Sequence, residues 1–317
     1  MDIPNHFISG DWGTSNFRLR LVETETLKVL AEVKNDQGVK TIYNKFLSQN
    51  KISQYDLFLN FLSEQLLNLT DTPEEHLIIL AGMASANIGL FELDYANLPI
   101  LQNGSSLNWK YLSADSKTKI ILISGVRSDT GMMRGEEIQA VGLEEYLAPF
   151  NKGILLLPGT HSKHLAYSNR QFSGLKNFMT GELFEILSKQ SILANSIIAS
   201  QWDKKREAAF KEGLILGFNG KLSENLFSVR AKDILYNFDK KDNYYFLSGL
   251  LIGDELSYLK EMDDKIFLAA SGPIYELYRE ALQILFTTQR LVLFNNNMLE
   301  RAFLQGQKKI LYQYGKQ

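Results

Sequence analysis

Apolar residues along this chain fall alternately into short runs and into helical stripes. Phe7 to Ser9 is a short apolar run, and Phe17, Leu19 and Leu21 then alternate with Arg18 and Arg20. That period of two predicts a strand with one buried face. The compact polar stretch between, Asp11-Trp12-Gly13-Thr14-Ser15-Asn16, turns the pair into a β-hairpin. Leu57, Phe58, Phe61, Leu62 and Leu66 recur at helical spacing and predict a helix over 53–69. Buried strands follow at 77–81 and 120–124, and Ile138, Val141, Gly142 and Leu143 mark the inner face of a helix over 136–146.

The pattern restarts at Ile154 with a four-residue apolar strand. Helices are predicted at 182–188, with Thr180 as cap, and at 207–217, 225–235 and 245–259; Gly249 and Gly253 in the last permit close packing. A strand at 266–270 turns through Ser271-Gly272-Pro273 into a helix at 274–285, and a strand at 291–294 precedes a helix at 298–311. Strands and helices are mixed throughout and a hairpin leads each half, which predicts an α/β architecture. A length of 317 residues favours two domains, 1–150 and 151–317, with the boundary near Pro149 to Gly153.

Composition narrows the function. An apolar fraction of 45% and a charged fraction of 22% are ordinary for a soluble globular protein. The net charge of −2 provides no basic stripe, which argues against nucleic acid as a partner. The 19 Phe and 14 Tyr read as core, not as a stacking platform. With no cysteine, disulfides, Cys-ligated zinc and Cys nucleophiles are all excluded. Only four His are present, so zinc at His161 and His164 is disfavoured. No apolar stretch approaches the ~20 residues that span a bilayer and no secretory h-region opens the chain, so the expected location is the cytoplasm, with no membrane partner.

The candidate chemistry lies in two similar turns close to half a chain length apart, Asp11 to Asn16 and Pro158 to Lys163. In the first, Gly13 allows close backbone approach or positive φ. Successive N–H groups can form an anion nest, Thr14, Ser15 and Asn16 add donors, and Asp11 can hold Mg²⁺, a cation that prefers oxygen ligands and keeps several waters. A plain Asp/Gly hairpin is the alternative. The second turn repeats the pattern at Gly159, Thr160, His161, Ser162 and Lys163, with Lys163 as a point charge for phosphate and Leu157 in place of Asp11. No Walker A loop is present. Two polar Gly turns predict a nucleotide phosphate held by both halves, and hence a phosphotransferase or an ATPase. Glu136 and Glu137 open a helix; they either complement its dipole or supply a general base for a hydroxyl acceptor. The loop Gly82-Met83-Ala84-Ser85-Ala86-Asn87 follows a strand, where α/β proteins hold ligands. Ser271, Gly272 and Pro273 either face an adenosine or simply start a helix.

The stretches DWGTSNFRLRLV, AGMASANIG, MRGEEIQAVG, LPGTHSKHL, MTGELFEIL, FSVRAKDIL, FLSGLLIGDEL and ERAFLQG occur in order over nearly the whole chain. Together they resemble the 2-dehydro-3-deoxygalactonokinase family of the hexokinase–actin–chaperone ATPase superfamily. The resemblance implies two ribonuclease-H-like, actin-like ATPase domains with an interdomain cleft. It also implies ATP and Mg²⁺ as cofactors, and phosphorylation of the 6-hydroxyl of 2-dehydro-3-deoxy-D-galactonate. On it, Asp11, Gly13, Thr14, Ser15 and Asn16 serve phosphates and metal, Gly159 to Lys163 the phosphates, and Ser271 to Pro273 the adenosine. Glu136 is the expected base, ahead of Glu137 and Asp129. Gly82, Met83, Ser85, Asn87, Arg18 and Arg134 are candidate sugar-acid contacts, with Arg127 a further candidate for its carboxylate. Leu90 after AGMASANIG, Gly131 and Met132 stand before MRGEE where the family pattern carries an Asp, which counts against an aspartate as base; Leu90 after AGMASANIG and His164 in place of tryptophan also depart from the pattern and bear on substrate preference. The alternatives are a kinase of the same fold for another sugar acid, such as 2-dehydro-3-deoxygluconate, and a non-catalytic actin-like ATP-binding protein. A homo-oligomer is compatible with either.

Overall fold

A computed structural model of the chain describes residues 3–49, 51–72, 76–113 and 118–315. The chain forms two compact units: Met1–Pro149 with Ser168–Leu175 and Asn297–Gln317, and Phe150–Tyr167 with Lys176–Asn296.

The first unit opens with an antiparallel meander, β1 (His6–Trp12), β2 (Phe17–Glu23) and β3 (Val29–Asn35). Two helices follow, α1 (Val39–Leu47) and α2 (Gln54–Leu69), and the Ser53 side chain caps α2 by accepting from Asp56 N–H at 3.1 Å. Next come β4 (Leu77–Gly82), β5 (Ala96–Asn97), β6 (Ile100–Leu101), β7 (Trp109–Ser113), β8 (Lys119–Ile123), β9 (Val126–Arg127), β10 (Met132–Met133) and α3 (Glu136–Leu147). The main sheet runs β3-β2-β1-β4-β8-β7, with β1, β4 and β8 parallel. Every residue of β4 is buried, as an unbroken apolar run in a central parallel strand should be. Ile8, Trp12, Phe17 and Leu19 of the hairpin pack with Val39, Phe58, Leu62 and Leu80 to form the core.

The second unit repeats this plan. Its elements are β11 (Lys152–Leu157), β12 (Ser162–Ser168), β13 (Gln171–Phe178), whose residues up to Leu175 count with the first unit, α4 (Thr180–Gln190), α5 (Glu207–Phe218), α6 (Leu222–Leu226), α7 (Ser228–Tyr236), α8 (Lys240–Leu256), β14 (Lys265–Leu268), α9 (Gly272–Leu285) and β15 (Leu291–Leu293). Its strands lie in the order β13-β12-β11-β14-β15, with β11, β14 and β15 parallel. The first unit has the same succession of third, second, first and fourth strands in β3-β2-β1-β4, extended by the parallel strand β8, with β7 added at the edge. Both units are therefore ribonuclease-H-like, and the α/β expectation holds. Helices α5 and α8 meet through four glycines: a Cβ on Gly213, Gly217, Gly249 or Gly253 would stand 2.0–2.2 Å from a backbone oxygen of the facing helix.

The last helix, α10 (Asn296–Tyr314), counts almost wholly with the first unit. Gly142 of α3 and Gly306 of α10 let the two backbones touch; a Cβ there would lie 1.7 Å from Ala302 O and 2.0 Å from Ile138 O. Gln307, fully buried, donates from Nε2 to Gly10 O (3.0 Å) and Ile79 O (2.9 Å). A single cut near residue 150 thus describes the first 149 residues but not this helix. Nor does it describe 168–175, where β13 begins and pairs with β6.

Smaller departures have local causes. The helix expected over 225–235 is two, α6 and α7, on either side of Phe227, and the one expected over 245–259 starts at Lys240 and tightens to a 3₁₀ turn at Ser257–Glu261. Thr180 is the first residue of α4 and not its cap, because its hydroxyl is spent on Glu255. Strands β3, β7 and β13 and helix α1 had no counterpart in the periodicity. In β3 no residue is fully buried, and in α1 only Val39 and Ile42 are.

Candidate active site

The first hairpin turn is closed by Gly13 N–H donating to Asn16 O at 2.9 Å. Gly13 is not among the residues with positive φ, and a Cβ there would meet only Asn16 O at 3.5 Å. Neither backbone conformation nor crowding within the chain therefore demands a glycine at this point. The turn is braced from behind by the start of α1. Val39 N–H donates to Gly13 O (2.9 Å) and Lys40 N–H to Thr14 O (3.1 Å). Gly38 makes this possible, since a Cβ on it would sit 2.3 Å from Thr14 O and 2.4 Å from Ser15 C. With its carbonyls engaged, the turn keeps the side chains of Thr14, Ser15 and Asn16 exposed.

The second turn is built the same way. Glu182 N–H near the start of α4 donates to Thr160 O (3.0 Å), and a Cβ on Gly181 would lie 2.6 Å from Gly159 O. Gly38 and Gly181 are thus matching backstops of the two hairpins. Sequence reading missed both, although each lies at the start of the first helix after its hairpin strands, Gly38 as the cap of α1 and Gly181 as the second residue of α4. Thr160 and His161 are exposed, and His161 Nε2 meets Glu182 Oε2 at 2.5 Å. Ser162 points inward instead: it is fully buried and its hydroxyl lies 3.3 Å from Tyr278 OH, so it offers no exposed donor. Lys163 is half-buried on β12.

Beneath this hairpin lies a buried polar network centred on Glu255 of α8. Its carboxylate meets His164 Nε2 (2.8 Å), accepts from Tyr278 OH of α9 (2.7 Å) and from the Thr180 hydroxyl, while His164 Nδ1 contacts Tyr258 OH at 2.9 Å. Burial alone would raise the Glu255 carboxyl; His164, Thr180 and Tyr278 outweigh it and hold the group below the ordinary glutamate value. His164, at the position where the resemblance led us to expect tryptophan, is therefore a packed structural histidine. Ser271, Gly272 and Pro273 start α9 at the end of β14 and are exposed; Ser271 holds the cap position without a side-chain cap bond, and Gly272 has φ +64°.

In the first unit three chain segments converge at the strand ends. Gly82 ends β4 with φ +90°, and a Cβ on it would lie 2.7 Å from Trp12 O of β1. Gly135, with φ +112°, precedes α3, and its Cβ would lie 3.3 Å from Gly82 Cα. The carboxylates that open α3 are thereby brought to the end of the strand that carries Asp11. The two glutamates differ. Glu137 is fully buried and both its oxygens accept from Gly135 N–H (2.8 and 2.7 Å). Burial first, and then the neighbouring Glu136 charge, push its carboxyl up to about 8. Glu136 is half-exposed and accepts from Arg134 N–H at 3.2 Å. Geometry therefore favours Glu136 as the carboxylate that can reach a ligand.

Arg134 is heavily engaged. Its guanidinium contacts Ser85 O and Ser85 Oγ at 2.5 Å, Tyr95 OH at 3.4 Å and Leu93 O at 3.5 Å, and lies 4.1 Å from the Tyr95 ring centre. It pins the Met83–Ser85 turn, so Ser85 is buried while Met83 is half-exposed and Asn87 exposed. Asp129 and Arg127 are exposed on the segments around β9, and Arg127 donates to Asn97 Oδ1 at 3.0 Å.

Asp11 stands at the end of β1, paired in register with Arg18, whose Nη2 lies 3.5 Å from Asp11 Oδ2. Desolvation raises the Asp11 carboxyl, with Arg18 acting against it. Its side chain is 35% exposed and opens into a hollow of about 480 Å³ lined also by Gly13, Asn16, Arg18, Lys34 and Asn35. Among the described residues no group of three or more His, Asp or Glu is arranged to hold a metal. A single partly exposed carboxylate beside a polar turn does suit Mg²⁺, which takes one or two carboxylates and completes its shell with phosphate oxygens and water.

A family model for 2-keto-3-deoxy-galactonokinase matches residues 11–306, both turns included. A probable 2-dehydro-3-deoxygalactonokinase of Rhizobium meliloti (strain 1021) is 31% identical over 295 residues, covering 89% of this chain and 90% of the relative. The 2-dehydro-3-deoxygalactonokinase of Escherichia coli (strain K12) is 28% identical over 284 residues, covering 87% and 89%. A crystal structure of a provisionally named 2-dehydro-3-deoxygalactonokinase from Sinorhizobium meliloti superposes with a TM-score of 0.78 at 28% identity, covering 95% of each chain.

Proposed function

The chain belongs to the 2-keto-3-deoxy-galactonokinase family, and from that premise we propose that it transfers the γ-phosphoryl group of ATP to the 6-hydroxyl of 2-dehydro-3-deoxy-D-galactonate, giving the 6-phosphate. The observation that carries this reading is the family match through both glycine turns and the MRGEE helix start. In phosphoryl transfer the protein contributes mainly positioning and charge stabilisation. The turn Gly13 to Asn16 of the first unit and the turn Gly159 to Lys163 of the second are assigned to the ATP phosphates, with donors from backbone N–H groups, Thr14, Ser15, Asn16, Thr160, His161 and Lys163. Ser162, fully buried, is the member of this turn that serves packing and not the phosphates. Asp11 would hold Mg²⁺, which neutralises phosphate charge when bound. Ser271 to Pro273, exposed at a parallel strand's end, are assigned to the adenosine.

Glu136 is assigned as general base: its half-exposed carboxylate accepts the proton of the acceptor hydroxyl as the oxygen attacks phosphorus. Gly82, Met83, Ser85 and Asn87 are assigned to the acceptor side, with Arg134 fixing that loop more than offering a free fork. Arg18 and Arg127 keep exposed guanidinium surface for the acceptor's carboxylate. No helix among the described residues is long and apolar enough to cross a membrane, and we place the enzyme in the cytoplasm. The test is ADP release by purified protein with ATP and Mg²⁺, with and without 2-dehydro-3-deoxygalactonate, beside the gluconate epimer and plain hexoses. Stimulation by the galactonate above all others is expected. Stimulation only by another sugar acid would reassign the acceptor, and ATP binding without stimulation by any would turn the reading to a non-catalytic ATP-binding protein.

A further inference from the structure

One sequence block, ERAFLQG, has no part in the chemistry above, yet it supplies the counter-charge of the first hairpin. Glu300 of α10 lies 3.2 and 3.3 Å, through its two carboxylate oxygens, from Arg18 Nη1, and it also accepts from Arg20 Nη2. Arg20 is held in addition by Glu32 at 2.8 Å, and its side chain is nearly fully buried. Arg18 therefore has two carboxylates to choose between, Glu300 and Asp11, and it sits closer to Glu300. A guanidinium facing a lone carboxylate closes on it at about 2.7–2.9 Å, often with both nitrogens. The 3.5 Å separation to Asp11 is what remains when Glu300 competes.

The charges point the same way. Two guanidinium groups, Arg18 and Arg20, face three carboxylates, Asp11, Glu32 and Glu300. Lys34, 3.9 Å from Glu32 and also lining the hollow, has a 76% exposed side chain, so its solvated charge offsets the balance only in part. The surplus is one negative charge, and Asp11 is the carboxylate of the three that opens into the hollow at the turn. Desolvation would raise the Glu300 carboxyl, but Arg18 and Arg20 hold it below the ordinary value, so it is ionised at neutral pH. Its place is fixed by the rest of α10, through Gln307 on β1 and β4 and Gly306 against α3.

We propose that Glu300 is a positioning residue: by drawing Arg18 and Arg20 toward α10 it keeps Asp11 free to bind a divalent cation. This rests on the reading of Asp11 as the Mg²⁺ carboxylate. Neutralising Glu300 frees Arg18 to close on Asp11 and removes the surplus charge.

The test is calorimetric binding of ADP to the full chain with Mg²⁺ and with EDTA, alongside the melting midpoint, with no turnover involved. In wild type, Mg²⁺ strengthens ADP binding. In Glu300→Gln that gain falls about tenfold, while ADP affinity in EDTA stays at the wild-type value. In the double variant Arg18→Met/Glu300→Gln the gain returns, because no guanidinium is left to cover Asp11. A Glu300→Gln protein with a lower melting midpoint but an undiminished gain overturns the proposal, as does a double variant that recovers nothing. Should Glu300→Gln fail to fold, Arg18→Met alone decides: a gain at least as large as wild type supports the competition, and a lost gain overturns it. Asp11→Asn separates the premise from the inference. If it abolishes the gain while Glu300→Gln does not, only the inference falls; if it leaves the gain intact, the metal assignment falls and the inference with it.

Discussion

At Glu137 a carboxylate is fully buried against the N–H of Gly135, one residue along from a half-exposed glutamate of the same chemistry. Nothing local in the string Arg134-Gly135-Glu136-Glu137 distinguishes the two; the helix phase and the packing of α3 do. The assignment of Glu136 as base predicts that Glu136→Gln lowers the turnover number for sugar-acid-dependent ADP release by on the order of 10²–10⁴-fold, with ADP binding retained. A fall of only a few-fold would remove Glu136 from the mechanism. Glu137 makes a different prediction, in stability. Its carboxyl is raised to about 8 in the folded protein from 4.5. Between those values the folded state keeps a proton that the unfolded chain releases, so raising the pH through this window favours unfolding. Glu137→Gln, the same shape without the charge, should match wild type near pH 5 and exceed it by a few kcal/mol above about pH 8. Urea unfolding at the two pH values measures this, and parallel curves for the two proteins would contradict the burial argument.

At the scale of elements, the two glycine-turn hairpins are held by the helices behind them. Val39 and Lys40 N–H groups in α1 and the Glu182 N–H in α4 each satisfy a turn carbonyl, and Gly38 and Gly181 leave the room for it. Gly38→Ala and Gly181→Ala should each force the turn away from its helix, costing about 1–3 kcal/mol as overpacking does. Each should also raise the KM for ATP more than it lowers turnover. Steady-state kinetics with thermal melts reads both quantities, and an unchanged KM with lowered stability would mean that the turns do not serve the nucleotide. The hairpins themselves were legible because a period of two with a compact Gly turn is a local pattern. The backstops were not, because Gly38 owes its need for a bare backbone to Thr14 and Ser15, more than 20 residues earlier. Strand β3 escaped for another reason: none of its residues is fully buried, and without a buried face there is no hydrophobic alternation to read.

At the scale of the whole molecule, the chain runs twice through one strand order and then sends its last helix back to the first unit. That return fits Gln307, whose Nε2 satisfies carbonyls of both β1 and β4, and the glycine contacts between α3 and α10. Gln307→Leu keeps the volume roughly and loses both hydrogen bonds. It should destabilise the protein by about 1–3 kcal/mol, the usual cost of leaving buried polar groups unpaired, as measured by urea unfolding. Little or no loss would show that the helix is held by packing alone.

The sequence by itself determined the α/β class, the two glycine turns, the family and, through the family, the expected reaction. Each of these depends on residues close together in the chain, or on motifs that keep their order. Tertiary structure decided which glutamate is accessible, that Ser162 points inward, that Arg134 is spent on the Ser85 loop, that His164 belongs to a buried network around Glu255, and that α10 joins the first unit. Every one of those outcomes turns on contacts between residues far apart in the chain. Burial and hydrogen-bond partnership belong to that spatial arrangement, and residue type alone does not assign them.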